Sequence, residues 1–438
     1  MKQGFAALLV LFSLLVLCML IAAGCTSTPG TPPTGQTPQV TATLSDNGSA
    51  ATVSEAGFVT ANNQFARDLF MQLASDPQYA GSNIFFSPFS ISSALAITFE
   101  GARGTTANEI QSVFHLPADY TTLREGFSRV NTGIISGDTN YTMNTANALW
   151  AEKTYPFLPE YLSTAGRWYS ANVTNLDFVG KPDASRQIIN TWVVDRTHDK
   201  IQNLLPSGSI NPATRLVITN AIYFKGNWVK QFDANDTQDA DFRVSPEKTV
   251  TVKMMKQTDK DAIYPYAEIA DLQMLSMPYA HGTGNGLSMI VLLPKKDNIA
   301  TAEAALDPQN LSLLKQSTSY QRVTVYFPKF KLNTQYGLSG TLAAMGMPTA
   351  FTGLADFSGM DGTRNLYISD VIHDAFVNVD EQGTEAIAAT VVGMSMGAIA
   401  PEKPVPVFRA DHPFLFLIQD NDTGAILFAG RIVNPNGT

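Results

Sequence analysis

Between Glu385 and Glu402 run 16 residues without a single charge, in a segment that joins two stretches of strong strand character, VIHDAFVNVD (371–380) and FLFLIQD (414–420). A connection between strands runs over the surface and is expected to be polar. This one is small, apolar and β-branched, a composition that normally invites aggregation when exposed. Its rhythm offers an explanation. Thr384, Ala386, Ala388, Thr390 and Val392 are all small or β-branched and uncharged, and they alternate with Glu385, Ile387, Ala389 and Val391. That is the pattern of a strand with one tightly packed face, and Gly383 ahead of it provides a hinge with unrestricted dihedrals. The segment reads as a strand in waiting; an ordinary flexible loop of small residues would leave the two-residue rhythm to chance.

The remainder divides into two textures. Residues 58–75 place Phe58, Phe65, Leu69, Phe70 and Leu73 on one helical stripe. Ser87-Pro88 opens a second helix carrying Ile91, Leu95, Ile97 and Phe99, with Gly101 to stop it, and residues 185–198 form a third through Ile188, Ile189, Trp192 and Val193. Beyond residue 200 the signals are strands: 215–226, 287–294, 322–332, 371–380, 414–420 and 426–433. Helices in the first part and strands in the rest indicate an α+β fold, because a parallel sheet would need alternating strand–helix units. The 438 residues show no fixed-period repeat and no internal linker, and their length fits about three domains or one large single-domain fold.

Composition removes several classes of function. Hydrophobic residues make up 45 % and charged residues 15 %, which excludes wholesale disorder. A net charge of −9 argues against a nucleic-acid binder working by phosphate neutralisation. The only cysteines are Cys18 and Cys25, so no disulfide, thiolate metal site or cysteine nucleophile is available in the body of the chain. The five histidines, His115, His198, His281, His373 and His412, show no ligand spacing, and no phosphate-binding loop is found; no metal or cofactor is expected. Gly393-Met394-Ser395-Met396-Gly397 does match a hydrolase nucleophile elbow, which would make the chain a surface esterase. Pro401, Pro404 and Pro406 stop a helix from starting on schedule, and the sole later histidine, His412, adjoins Asp411.

At the amino terminus, Phe5 to Ala23 are uncharged and apolar, followed by Ala23-Gly24-Cys25. This resembles a lipoprotein signal over residues 1–25 with Cys25 as the lipid-bearing residue; an uncleaved membrane anchor is the other reading. Residues 26–54, rich in Thr, Pro and Gly, then form a tether, and the body occupies 55–436. Both readings place the body outside the cell, attached to the membrane only by its anchor. Sequons at Asn47, Asn140, Asn172, Asn235, Asn310, Asn421 and Asn436 are compatible with export.

VNVDEQGTEAIAAT (377–390) resembles the reactive-loop hinge of the serpins, the serine protease inhibitor family. SPFSISSAL (87–95) is similar to that family's helix-B and shutter motif, NAIYFKGNW (220–228) to the central strand of its main sheet, and FRADHPFLF (408–416) to the strand after its reactive loop. All occur in family order, and the resemblance covers about residues 55–434. One departure is Asp199, where the family usually has Gly before Lys200-Ile201.

The resemblance implies a metastable fold: helices gathered in the N-terminal half around three sheets, with an exposed, insertable loop. It implies no catalysis by this chain. A target serine protease cleaves the loop, and the freed hinge side inserts as a new strand before the acyl-enzyme is hydrolysed. A non-inhibitory serpin-fold binding protein is the alternative, and a cysteine protease also fits as a target. Counting about fourteen residues beyond the hinge glycine, as the family does, lands on Gly397 and the bond to Ala398. The loop looks a residue or two long, so Met396–Gly397 is nearly equal, and Met394 or Ala398 also fit. With no Lys, Arg, Asp or aromatic residue from 386 to 401, an elastase-like or subtilisin-like target is favoured over a trypsin-like one. Hinge residues are Glu381, Gly383, Thr384, Glu385, Ala386 and Ala388. Lys329 and Glu381 resemble the salt-bridged pair where the loop enters the sheet, and Ser87, Ser90, Asn220 and His373 the shutter's polar cluster. The chain is expected to act as a monomer. Only Arg124 and Arg129 are basic between Pro117 and Val130, so polyanion activation is not expected.

Overall fold

The computed structural model describes residues 47–135, 140–269, 271–282, 285–384 and 404–437. Among the described residues six helices precede residue 197: α1 (Asn47–Ser75), α2 (Pro88–Gly101), α3 (Gly104–Val113), α4 (Tyr120–Ile135), α5 (Pro159–Tyr169) and α6 (Pro182–Arg196). Four shorter ones follow, α7 (Ile299–Ala304), α8 (Pro308–Gln316), α9 (Ser339–Met345) and α10 (Ser358–Asp361). Residues 47–54, expected in the tether, lie within α1. Ser87 caps α2 by accepting from the Ser90 amide, with Pro88 in the first turn where its missing N–H costs nothing. Every residue of α2 is buried, including Ser90, Ser92, Ser93, Thr98 and Glu100, so no side of it is left to water.

The strands are β1 (Ile84–Phe86), β2 (Tyr141–Glu152), β3 (Asn172–Leu176), β4 (Leu216–Asn227), β5 (Gln238–Ser245), β6 (Lys248–Gln257), β7 (Ile263–Glu268), β8 (Leu272–Pro278) and β9 (Leu287–Pro294). Then come β10 (Ser319–Arg322), β11 (Thr324–Pro328), β12 (Phe330–Gly337), β13 (Ile368–Val379), β14 (Gly383–Thr384), β15 (Val407–Arg409), β16 (Phe414–Asp420) and β17 (Ile426–Ile432). Among the described residues they build three sheets, ordered β1-β17-β16-β9-β8-β7-β10, β15-β11-β6-β5 and β12-β13-β14-β4-β2-β3. The expected α+β class with helices concentrated in the N-terminal half around three sheets is what the chain adopts.

One expected strand is three. The run 322–332 breaks at Val323 and Lys329, and its pieces feed all three sheets through β10, β11 and β12. A period-two pattern reports alternation and carries no information about which sheet a strand joins. The break at Lys329 matters, because it puts that side chain at the junction of two sheets.

The sheet holding β4 and β13 is covered on both faces. Val217, Ala221 and Ile372 pack with Trp150, Ile189, Val193 and Leu205, under α6. The alternate residues Leu216, Ile218, Ile222 and Phe224 join the main core with α2. Burial on both faces accounts for the nearly unbroken apolar run of β4.

Candidate functional site

β4 and β13 are neighbours in two different ways along their length. From Ile368↔Leu216 to Phe376↔Tyr223 they pair directly and parallel. Above that point the chain turns at Asp380–Gln382 and comes back between them as β14. Thr384 faces Val379 on one side and Gly226 on the other, and Gly383 faces Asn227, both pairings antiparallel. The charge-free segment therefore starts inside the sheet, with Thr384 fully buried.

Glycine is required at the entry. Gly383 has φ +154°, and a Cβ there would lie 2.0 Å from the carbonyl oxygen of Gly226. The turn before it is held by Asp380, whose carboxylate accepts from the Gln382 and Gly383 amides. Trp228 fastens it from the β4 side: its amide donates to Gln382 O (2.8 Å) and its indole Nε1 to Asp380 O (3.1 Å). Tyr279 stacks on Trp228 with ring centroids 4.5 Å apart, and its hydroxyl is hydrogen-bonded to Thr384 Oγ1 at 2.9 Å.

Lys329 and Glu381 meet at the same end of the seam. Lys329 Nζ donates to Glu381 Oε2 at 2.7 Å, and Thr237 Oγ1 donates to Oε1 at 2.8 Å. Burial alone would raise the carboxyl's pKa, but the bonds from Lys329 and Thr237 outweigh it and hold Glu381 below its ordinary range. The pair closes a 52-residue separation in sequence and clamps the turn against β11.

Further down, Ser87, Ser90, Asn220 and His373 form one hydrogen-bonded cluster. His373 Nε2 accepts from the Ser87 amide at 3.0 Å, and its Nδ1 bonds to Asn220 Oδ1. Asn220 Nδ2 donates to Ser90 Oγ (2.7 Å) and to Asn147 Oδ1 (2.6 Å), and Ser87 Oγ donates to Leu427 O (2.6 Å). His373 and Asn220 face each other across the direct β13–β4 pairing, so this bond bridges the seam itself. Burial pushes the imidazole pKa down to about 3, leaving a neutral ring.

Asn147, Thr237, Trp228 and Tyr279 were not singled out by sequence reasoning for the roles they take here. Their partners lie 73, 144, 152 and 105 residues away, and no local pattern announces such pairs. Glu385, Ala386, Ala388, Met396, Gly397, Ala398, Ser395 and Cys25 lie outside the described residues. The esterase reading loses its base: His412 Nε2 is bonded to Pro294 O at 2.6 Å and Nδ1 to Asp411 Oδ1 at 2.9 Å, so neither nitrogen is free to take a proton from a nucleophile. Among the described residues no group of three or more His, Cys, Asp or Glu side chains is disposed to hold a metal, and no helix is long and apolar enough to cross a membrane.

Residues 60–435 match the family described as Serpin (serine protease inhibitor). The chain belongs to the serpin family. It is 42 % identical over 388 residues to an uncharacterized serpin-like protein of Methanosarcina acetivorans, covering 88 % of this chain and 90 % of that one. It is also 42 % identical to a leukocyte elastase inhibitor of Bos taurus, covering 86 % and 98 %. Among solved structures, uncleaved ovalbumin aligns with a TM-score of 0.76 at 31 % identity over 86 % of this chain and all of that one. Human thyroxine-binding globulin aligns with a TM-score of 0.77 at 28 % identity, over 88 % and 99 %. Where this serpin carries Asp199, the backbone takes φ +61°, a left-handed conformation that suits Gly and that Asp tolerates better than most side chains.

Proposed function

We propose that this serpin is a suicide-substrate inhibitor of serine proteases with small or apolar specificity pockets, elastase-like or subtilisin-like. The seated hinge supports this most directly. Two residues of an uncharged strand already lie between β4 and β13, and below them the seam is held by parallel pairing between strands distant in sequence. An added strand would be antiparallel to both, the slightly more stable pairing.

Continued without a slip, the register that sets Thr384 against Val379 and Gly226 sets Ala386 against Val377, Ala388 against Ala375 and Thr390 between His373 and Asn220. Val377, Val379 and Ala375 face the main core, so this face of the incoming strand must carry no charge. The small, neutral side chains meet that demand. Thr390 brings a hydroxyl to the position where insertion parts His373 from Asn220, and so offers both a replacement partner.

In this mechanism the protease serine attacks the carbonyl carbon of the reactive bond, placed at Gly397–Ala398 or one residue before it, and the new amine departs with a proton from the protease's histidine. The hinge-side segment, now an acyl group on the protease, zips down the seam from Thr384 and carries the protease with it. The serpin supplies the free-energy drop, and the kinetic stability of the intact sheet preserves it until cleavage. The names of the leukocyte elastase inhibitors in cattle and humans, each 42 % identical to this chain, support the elastase-like choice. A non-inhibitory binding role is the second reading, favoured by the structural likeness to thyroxine-binding globulin. The protein is further read as an exported monomer held at the cell surface by its N-terminal segment, with Cys25 as the site of lipid attachment.

Incubation with pancreatic elastase and with subtilisin tests the reading. A complex that survives denaturing gels, with the new amino terminus at 397 or 398 by mass spectrometry, supports inhibition. Thr384→Arg should be cleaved without such a complex. If that variant traps protease as well as the wild type, the insertion account fails.

A further inference from the structure

Tyr279 has no place in the sequence argument, yet it lies at the first step of strand entry. Its ring is fully buried between Trp228, stacked at 4.5 Å, and Phe224, edge-on at 5.0 Å. Gly226 makes the arrangement fit: a Cβ there would lie 2.9 Å from the Tyr279 ring. Gly226 is also the residue opposite Thr384, whose hydroxyl meets that of Tyr279. Thr384 and Tyr279 are both fully buried, and among the described residues each hydroxyl is the other's only hydrogen-bond partner.

We infer that Tyr279 is a positioning residue that keeps the hinge pre-seated in the sheet through its bond to Thr384, so that insertion after cleavage starts from a strand already nucleated. The inference deepens the inhibitory reading and rests on it for its kinetic consequence. Removing the phenol oxygen leaves Thr384 Oγ1 buried without a partner, and removing the threonine hydroxyl leaves the phenol in the same state. Swinging the hinge out relieves either penalty: Thr384 is then solvated, or water enters the vacated place and reaches the Tyr279 hydroxyl. Insertion must then begin by re-entry, which costs loop-closing entropy while deacylation proceeds. Removing both hydroxyls together leaves an apolar contact of nearly the same shape with no orphan.

Three variants of the full chain test this: Tyr279→Phe, Thr384→Val and the double variant. The first measurement needs no protease: backbone hydrogen exchange in the peptide spanning 380–384 of the intact protein. Each single variant is expected to raise exchange there about tenfold, and the double variant to return close to the wild-type rate. The second is the number of serpin molecules consumed per pancreatic elastase inhibited. It should rise several-fold in each single variant and fall back in the double, with loop cleavage no slower. A Tyr279 that merely packs against Trp228 would leave Thr384→Val silent and make the double as impaired as Tyr279→Phe. Unchanged exchange in the single variants, or additive effects in the double, overturns the inference. A wild-type chain that elastase cleaves without trapping overturns the inhibitory reading and the kinetic consequence, and the exchange rates then decide the seating bond alone.

Discussion

The amide of Ser87 lies 3.0 Å from Nε2 of His373, and that contact fixes the protonation state of a ring buried at the centre of the sheet. An amide can only donate, so Nε2 must accept, and the proton sits on Nδ1 facing Asn220. A second ring proton would point at the Ser87 N–H. With the folded pKa pushed down to about 3 and the unfolded one near 6.5, the unfolded chain binds the proton first. The contribution to stability is therefore intact above pH 6.5 and declines by roughly 1 kcal/mol per pH unit as pH falls toward 3. Carbon and nitrogen shifts of the His373 ring should show it neutral in the folded protein at pH 5. A ring titrating near pH 6.5 would contradict the geometry.

The next residue along β13 acts in the opposite sense. Asp374 is buried on the other face, one carboxylate oxygen has no partner, and burial pushes its pKa up to about 7. Here the folded chain holds the proton longer than the unfolded one, so stability falls as pH rises from about 4 through 7. Asp374→Asn should raise the melting temperature at pH 8 by about 5 °C. The gain should vanish near pH 4. An equal gain at both values would remove ionisation as its cause.

The Lys329–Glu381 pair is asymmetric, with the carboxylate side chain 12 % exposed and the lysine 37 %. Removing the lysine leaves the more buried charge behind. Lys329→Met should cost about 1–2 kcal/mol, less than a fully buried pair because water reaches the lysine. A double replacement of Lys329 and Glu381 by Met should recover most of that loss, as urea midpoints would show. Additive losses would mean that the two groups act independently.

At Asp199 the left-handed backbone leaves an avoidable strain. Asp199→Gly should stabilise the protein by about 0.5–1 kcal/mol, since Gly adopts this φ without penalty. Thermal denaturation at equal loading checks it; a loss of stability would show that the Asp side chain contributes more than its backbone costs.

How much of this was legible in the sequence follows from what each signal encodes. The strands 287–294 and 414–420 were read to the residue, because continuous apolar runs bounded by polar residues locate buried strands well. β2 was missed: Asn144 and Asn147 interrupt its apolar character, and the reason for Asn147, a bond to Asn220, lies on a neighbouring strand. The hinge was visible because its composition contradicts its place in the chain, a local conflict that needs no knowledge of the fold. The Lys329–Glu381 and Ser87–His373 contacts were reached only through family resemblance. Tyr279 carried no mark at all, since what distinguishes it is its packing against Gly226 and its bond to Thr384, 105 residues away.

Inhibition as proposed requires that the seam between β4 and β13 admit one more strand. Clipping the intact domain once between residues 385 and 403, then comparing thermal unfolding of the clipped and unclipped forms, tests it most directly. The clipped form is expected to unfold higher by roughly 20 °C or more, reflecting a completed sheet. Equal melting temperatures would contradict it.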